Sequence, residues 1–189
     1  MTKTRNQSGI GFQIQERDVE IVRWLGRVRL ATVGEVQTRF GLARSKAYGR
    51  LKGLVDLGLV RHERGVPGHG VFLATRDGLK LAETDLAPAT MSLGALRHDL
   101  AVADVVARLE RVGELVWTER ELRRHQQLTG ESWFRPRVIR RGVHDARHWP
   151  DLVMPVGEGP RLWVAAEVEL STKSAERIDA ILAGYSNCN

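Results

Sequence analysis

The sequence lacks most of the features that define secreted proteins, membrane proteins and nucleotide-binding enzymes. It contains one cysteine, Cys188, so no internal disulfide and no cysteine-based zinc site can form. No apolar run approaches the roughly 18 residues that a membrane helix needs. The basic start, MTKTRNQSGIGFQIQ, has no apolar core of the kind that secretory signals carry. Phosphate-binding GxxxxGK(S/T) and dinucleotide-binding GxGxxG stretches do not occur. We therefore expect a cytoplasmic protein with no membrane partner.

What the sequence does have is an uneven distribution of charge. The 189 residues are 42% apolar, which is typical of a globular protein, and the net charge is +6. Residues 1–87 hold 15 Lys/Arg and 9 Asp/Glu, whereas residues 88–189 hold 14 of each, so the whole excess lies in the first half. Positive charge concentrated on one module indicates a partner that is a polyanion. The alternative is an ordinary solvated surface that happens to be basic.

The first half contains the pattern of three helices. Apolar spacing in ERDVEIVRWLGRVRL predicts a helix over about residues 18–26. Thr32 and Glu35 have the spacing of a capping box and begin a second helix, which Gly41 ends. In ARSKAYGRLKGLVDLGLV we expect Ser45 to cap a third helix that ends just before Gly58.

Two short helices joined by a turn, the second basic, predict a helix-turn-helix, whose second helix reads the major groove. The stretches LVRHER and VFLATRDG, separated by GVPGHG, predict a hairpin, and Thr75 then caps a further helix. The order resembles a winged helix-turn-helix, which implies double-stranded DNA as the partner. The first-turn residues and Arg50 are the expected base contacts. The full set of predicted DNA contacts is Arg44, Ser45, Lys46, Tyr48, Arg50, Lys52, Arg61, Arg64 and His69. A protein-interaction module remains an alternative.

The second half predicts a mixed helix and strand unit. LRHDLAVADVVARLERVG indicates a long helix from near Leu93, and a short strand is expected over residues 114–117. The polar stretch 126–147 shows little periodicity and is expected to be a loop. HWPDLVMPV and RLWVAAEVEL predict two strands joined by the turn GEGP, and Ser174 is expected to cap a closing helix.

This order of elements resembles restriction-endonuclease-like folds, whose motif is PD…(D/E)xK. Pro150 and Asp151 match its first part, and Glu167 and Glu169 its second, with Glu169 where lysine is usual. Strand alternation would place both glutamates on one face. In an active nuclease, Asp151 and Glu167 would bind Mg²⁺ or Mn²⁺, and Lys173 could replace the missing lysine. The alternative is that these acids are strand-end or edge residues facing water, with Glu169 or Glu167 paired to Arg161 or Lys173.

The segments HDLAVADV and PD…EVELSTKS, together with the winged helix, are similar to the replication-relaxation family of actinobacterial plasmids, phages and mobile elements. The resemblance implies DNA binding that controls transcription, replication or mobilisation, and His98 and Asp99 match its histidine-led helix. We expect an α+β protein with a flexible tail (1–14), a winged helix-turn-helix (15–87) and a small α/β nuclease-like domain (92–189). The latter is either short or truncated at its C-terminus. An uncovered sheet edge there would favour a homodimer. A metal-dependent DNA nuclease is the alternative function.

Overall fold

A computed structural model describes residues 12–64, 70–131, 137–140, 143–156 and 162–186, with the backbone alone for residues 137–140, 143–147 and 162. The helices are α1 Glu16–Val28, α2 Val33–Phe40, α3 Arg44–Asp56, α4 Arg76–Leu81, α5 Leu96–Arg111, α6 Glu119–Thr129 and α7 Ala175–Ser186. The strands are β1 Val60–Glu63, β2 Val71–Ala74, β3 Trp117–Thr118, β4 Arg137–Arg140, β5 Val143–Arg147, β6 Leu152–Val156 and β7 Leu162–Ala166. This mixture of helices and small antiparallel sheets confirms the predicted α+β class.

Local sequence signals explain how α2 begins and ends, but they do not explain where α3 begins. The α2 capping box is confirmed: the Thr32 side chain accepts a hydrogen bond from the Gly34 N–H, and the Glu35 carboxylate accepts one from the Thr32 N–H. Gly41 ends α2 in the left-handed region, at φ 62°. The expected Ser45 cap is wrong, because α3 begins at Arg44 behind Ala43, which has no capping side chain.

The hairpin that follows α3 is confirmed in the described residues. Strands β1 and β2 are antiparallel, with Val60 opposite Ala74 and Glu63 opposite Val71. Ala31, between α1 and α2, makes a bridge to Phe72, so the hairpin is attached to the helices through backbone hydrogen bonds of 2.8 and 3.1 Å. The hairpin tip, with the predicted contact His69, lies outside the described residues.

The second half departs from the prediction in its middle. Strands β3, β6 and β7 form one antiparallel sheet in that order, and β4 pairs with β5 in a second. The expected loop over residues 126–147 is wrong: α6 runs to Thr129, and the pair β4–β5 follows. The Thr118 side chain begins α6 with a capping box to Glu121, the signal that Thr32 gives for α2. The β6–β7 hairpin and the Ser174 cap of α7 are confirmed.

A single cluster of buried apolar residues crosses the predicted boundary between the two halves. It joins Ile21 and Leu25 of α1 to Val106 of α5 and Leu152 of β6. Ion pairs reinforce this contact. Arg27 of α1 pairs with Glu110 of α5 at 2.6 Å and with Glu121 of α6 at 2.7 Å, and Arg39 of α2 also pairs with Glu110. The division into domains stays a prediction, and the described parts of the two halves are packed together.

Within the described part of the chain, every helix is too short or too polar to cross a membrane.

Candidate functional site

The exposed side of α3 carries most of the predicted DNA contacts. Its other side holds the helix in the core through Ala47, Leu51 and Leu54, all of which are fully buried. Facing solvent in the first turns are Arg44, Ser45, Lys46 and Tyr48, and Tyr48 is 53% exposed. Among the described residues, no carboxylate pairs with Arg44 or Lys46. These two cations therefore remain available to an external anion.

Two other basic residues of α3 are already paired. Arg50 points to α1, where its Nε donates to Asp18 Oδ1 at 2.7 Å, and this hydrogen bond raises the pKa of Arg50. Lys52 forms an exposed ion pair with Asp56 at 2.7 Å, and the hydrogen bond to Asp56 raises the pKa of Lys52. Their predicted DNA contacts stay predictions, and they would require these pairs to open or to be shared.

The hairpin presents one free cation at the end of its described part. Arg61 of β1 pairs with Glu63 at 3.1 Å and donates to the Ala89 carbonyl at 2.6 Å, so it holds the segment after α4. Arg64 is exposed and has no partner among the described residues. Of these two arginines, Arg64 is therefore the one that remains available to an external anion.

The predicted catalytic acids separate into different environments. Asp151 Oδ2 accepts from the Val168 N–H at 2.8 Å and lies 3.2 Å from His98 Nε2. Burial raises the pKa of Asp151, although the Val168 N–H and His98 oppose this. The Glu167 carboxylate instead contacts His148 Nε2, at 2.6 Å, and the Tyr185 hydroxyl.

Glu167 and Glu169 do not share a strand face, which corrects the prediction from alternation. Strand β7 ends at Ala166, so both residues follow it. Burial would raise the pKa of Glu167, but hydrogen bonds from His148 and Tyr185 lower it overall. Glu169 forms an ion pair with Lys173. This matches the alternative in which the acids pair with neighbouring cations. In the described residues, no group of three or more His, Cys, Asp or Glu side chains could hold a metal ion. The catalytic and metal-binding assignments stay predictions.

A small cleft joins the first turns of α5 and α6, and sequence reasoning found only part of it. It is lined by Arg27, Val28, Arg29, His98, Asp99, Val102, Thr118, Glu119, Arg120 and Asp151. The HDLAVADV segment indicates His98 and Asp99 as candidate site residues, and the nuclease-like motif indicates Asp151. Nothing in the sequence pointed to Arg29.

Arg29 enters this cleft through strained backbone. Its φ of 75° and ψ of −55°, with a 2.9 Å bond from the Leu30 N–H to the Val28 carbonyl, describe a γ-turn of the rare positive-φ form. Such strain costs on the order of 1–3 kcal/mol in a residue other than glycine. The turn brings Arg29 Nε to 3.5 Å from Asp99. Burial raises the pKa of Asp99, and the Asp99 Oδ2 atom has no hydrogen-bond partner in the described structure.

Comparison with known proteins gives one match. Neither the curated proteins nor the solved structures contain a match to this chain. The family model described as replication-relaxation matches residues 22–188, which covers α2 to α7 entirely and most of α1. This chain is therefore a member of the replication-relaxation family.

Proposed function

We propose that this chain is a double-stranded-DNA-binding protein of a mobile element. In this proposal α2, α3 and the β1–β2 hairpin form a winged helix-turn-helix. The first turns of α3 lie in the major groove, and Arg64 reaches the backbone beside it. Membership of the replication-relaxation family associates the chain with replication or mobilisation of such an element. Control of replication, mobilisation or transcription would follow from where the protein binds.

One observation carries the proposal: Arg44 and Lys46 are exposed on a helix whose opposite side is fixed in the core, and no described carboxylate neutralises them. Unpaired surface cations gain from phosphate contacts because bound counterions are released from the DNA. The arginine and lysine side chains can also donate to guanine edges in the major groove.

The test compares two double variants by fluorescence anisotropy with a labelled duplex over a series of salt concentrations. Arg44→Ala/Lys46→Ala should weaken binding and lower the slope of log affinity against log salt by about 1.8, since each phosphate contact contributes about 0.9. Arg108→Ala/Arg177→Ala removes the same charge from exposed positions on α5 and α7 and should leave the slope nearly unchanged. Equal effects of the two double variants would contradict the proposal, as would a wild-type protein that binds no fragment of its source genome.

A metal-dependent nuclease is the second candidate, and one observation favours it. Burial is the main cause of the raised pKa of Asp151, and the nearby Glu167 charge adds to it, while the Val168 N–H beside Glu167 donates to Asp151 directly. A divalent cation between the two carboxylates would relieve their repulsion.

A further inference from the structure

Arg50 lies in the middle of α3, yet its guanidinium is bound by the segment that begins α1. Its Nη2 donates to the Gln13 carbonyl at 2.9 Å, and Nε and Nη2 both donate to the Asp18 carboxylate. Its Cζ lies 4.3 Å from the centre of the Phe12 ring, the distance of a cation–π contact. Only 20% of the Arg50 side chain remains exposed.

Asp18 joins the two helices through one carboxylate. It is completely buried, and its Oδ2 also accepts from the Gln15 N–H at 2.8 Å, which caps the start of α1. A planar guanidinium matches such a carboxylate with two parallel hydrogen bonds, a geometry that lysine cannot reproduce. Together with the buried residues Ala47, Leu51 and Leu54, the pair therefore constrains the rotation of α3 about its axis and its distance from α1.

Phe12 completes this arrangement against the same side of α3. A Cβ placed on Gly53 would lie 2.1 Å from Phe12 Cδ2, so the ring occupies space that only glycine leaves open. We name Phe12, Asp18, Arg50 and Gly53 the α1–α3 clamp.

The local sequence of α3 does little to stabilise it as a helix. It has two glycines in its interior, an alanine at its N-cap and no acidic residue in its first turn. Each of these features weakens a helix, so tertiary contacts must set its geometry.

We propose that Arg50 is a positioning residue for DNA recognition: through Asp18 it orients α3 so that Arg44 and Lys46 face the duplex. This rests on the proposed function, and it gives Arg50 a different role from the base contact that the sequence predicts.

Asp18→Asn distinguishes a positioning role from a purely electrostatic one, because the two predict opposite changes in affinity for duplex DNA. The change raises the net charge by one, so a purely electrostatic interface would bind a labelled duplex as tightly or more tightly. A mispositioned α3 should instead bind about tenfold more weakly, the loss expected for one misplaced base contact. The salt slope should fall as well, by up to about 1.8, since the misplaced Arg44 and Lys46 supply two phosphate contacts. Circular dichroism and thermal unfolding report whether the variant is folded.

Arg50→Lys is the second variant. It keeps the positive charge and should disturb the fold less than the loss of the buried Asp18 carboxylate. It should also weaken binding and lower the salt slope, although the net charge of the protein is unchanged. Arg50→Lys that binds like wild type, or a folded Asp18→Asn that binds as tightly or more tightly, overturns the positioning role. A wild-type chain that binds no duplex contradicts the proposed function itself, so the two failures are distinguishable.

Discussion

Replacing Gly49 by alanine should stabilise the fold and weaken DNA binding together. Gly49 lies on the exposed side of α3, and a Cβ built there would meet no atom of the described residues within 4 Å. Because no neighbour must move, the variant should gain most of the roughly 1 kcal/mol by which alanine exceeds glycine inside a helix. The described residues give no packing reason for this glycine. Close approach of a nucleic acid backbone would give one.

Gly53→Ala is the matched control, because it makes the same chemical change four residues along the same helix. There the new Cβ would lie 2.1 Å from the Phe12 ring, so the ring must be displaced. Overpacking of this kind costs about 1–3 kcal/mol, which should cancel or exceed the gain in helix propensity.

Urea denaturation measures both free energies of unfolding, and duplex anisotropy measures the binding of each variant. We expect Gly49→Ala to be more stable than wild type and to bind duplex more weakly, and Gly53→Ala to be no more stable than wild type. Equal changes in the free energy of unfolding of the two variants would refute this expectation. A Gly49→Ala variant that binds duplex as tightly as wild type would show that no nucleic acid approaches α3 at this point.

Three further predictions concern the charged groups outside α3. Glu110→Gln should lower the free energy of unfolding in urea by about 3 kcal/mol, because its 7%-exposed carboxylate pairs with Arg27, whose side chain is only 18% exposed. The exposed ion pair of Asp104 with Arg108 gives the control, and Asp104→Asn should cost under about 0.5 kcal/mol. Because the folded-state pKa of Glu167 is lowered, its carboxylate stabilises the fold fully at pH values above about 4.5, and this stability is lost as the pH falls through the folded-state pKa. Glu167→Gln should therefore be less stable than wild type near neutral pH and should lose less stability than wild type in acid. If the nuclease candidate is correct, purified protein with Mg²⁺ or Mn²⁺ should cut plasmid, and both Asp151→Asn and Glu167→Gln should abolish cutting; cutting that survives both changes would contradict it.

The elements that sequence reasoning predicted well are those specified by local signals. The Thr32–Glu35 capping box and the left-handed Gly41 fix α2 within a few residues, and both are found. The same capping-box signal at Thr118 and Glu121 marks the start of α6, but the polar sequence that follows does not indicate a helix. Only one side chain of that helix, Leu122, is buried, so apolar periodicity is weak there.

The parts of the site that sequence could not predict depend on contacts between distant segments. Exposure of Arg44 and Lys46 follows from helical periodicity, but the pairing of Arg50 with Asp18 joins residues 32 positions apart. The His148 and Tyr185 contacts of Glu167 come from the segment before β6 and from α7. The strained turn at Arg29 has no sequence signature, because its residue is neither glycine nor asparagine.

Lysine acetylation footprinting tests the account most directly, because it needs no substitution. The protein is treated with an acetylating reagent, with and without duplex, and the modification of each lysine is measured by mass spectrometry. Lys46 and Lys80 are both exposed, on α3 and α4, and both should react in the free protein. Bound duplex should protect Lys46 strongly and Lys80 little. Equal reactivity of Lys46 with and without bound duplex would contradict the proposal that α3 contacts DNA.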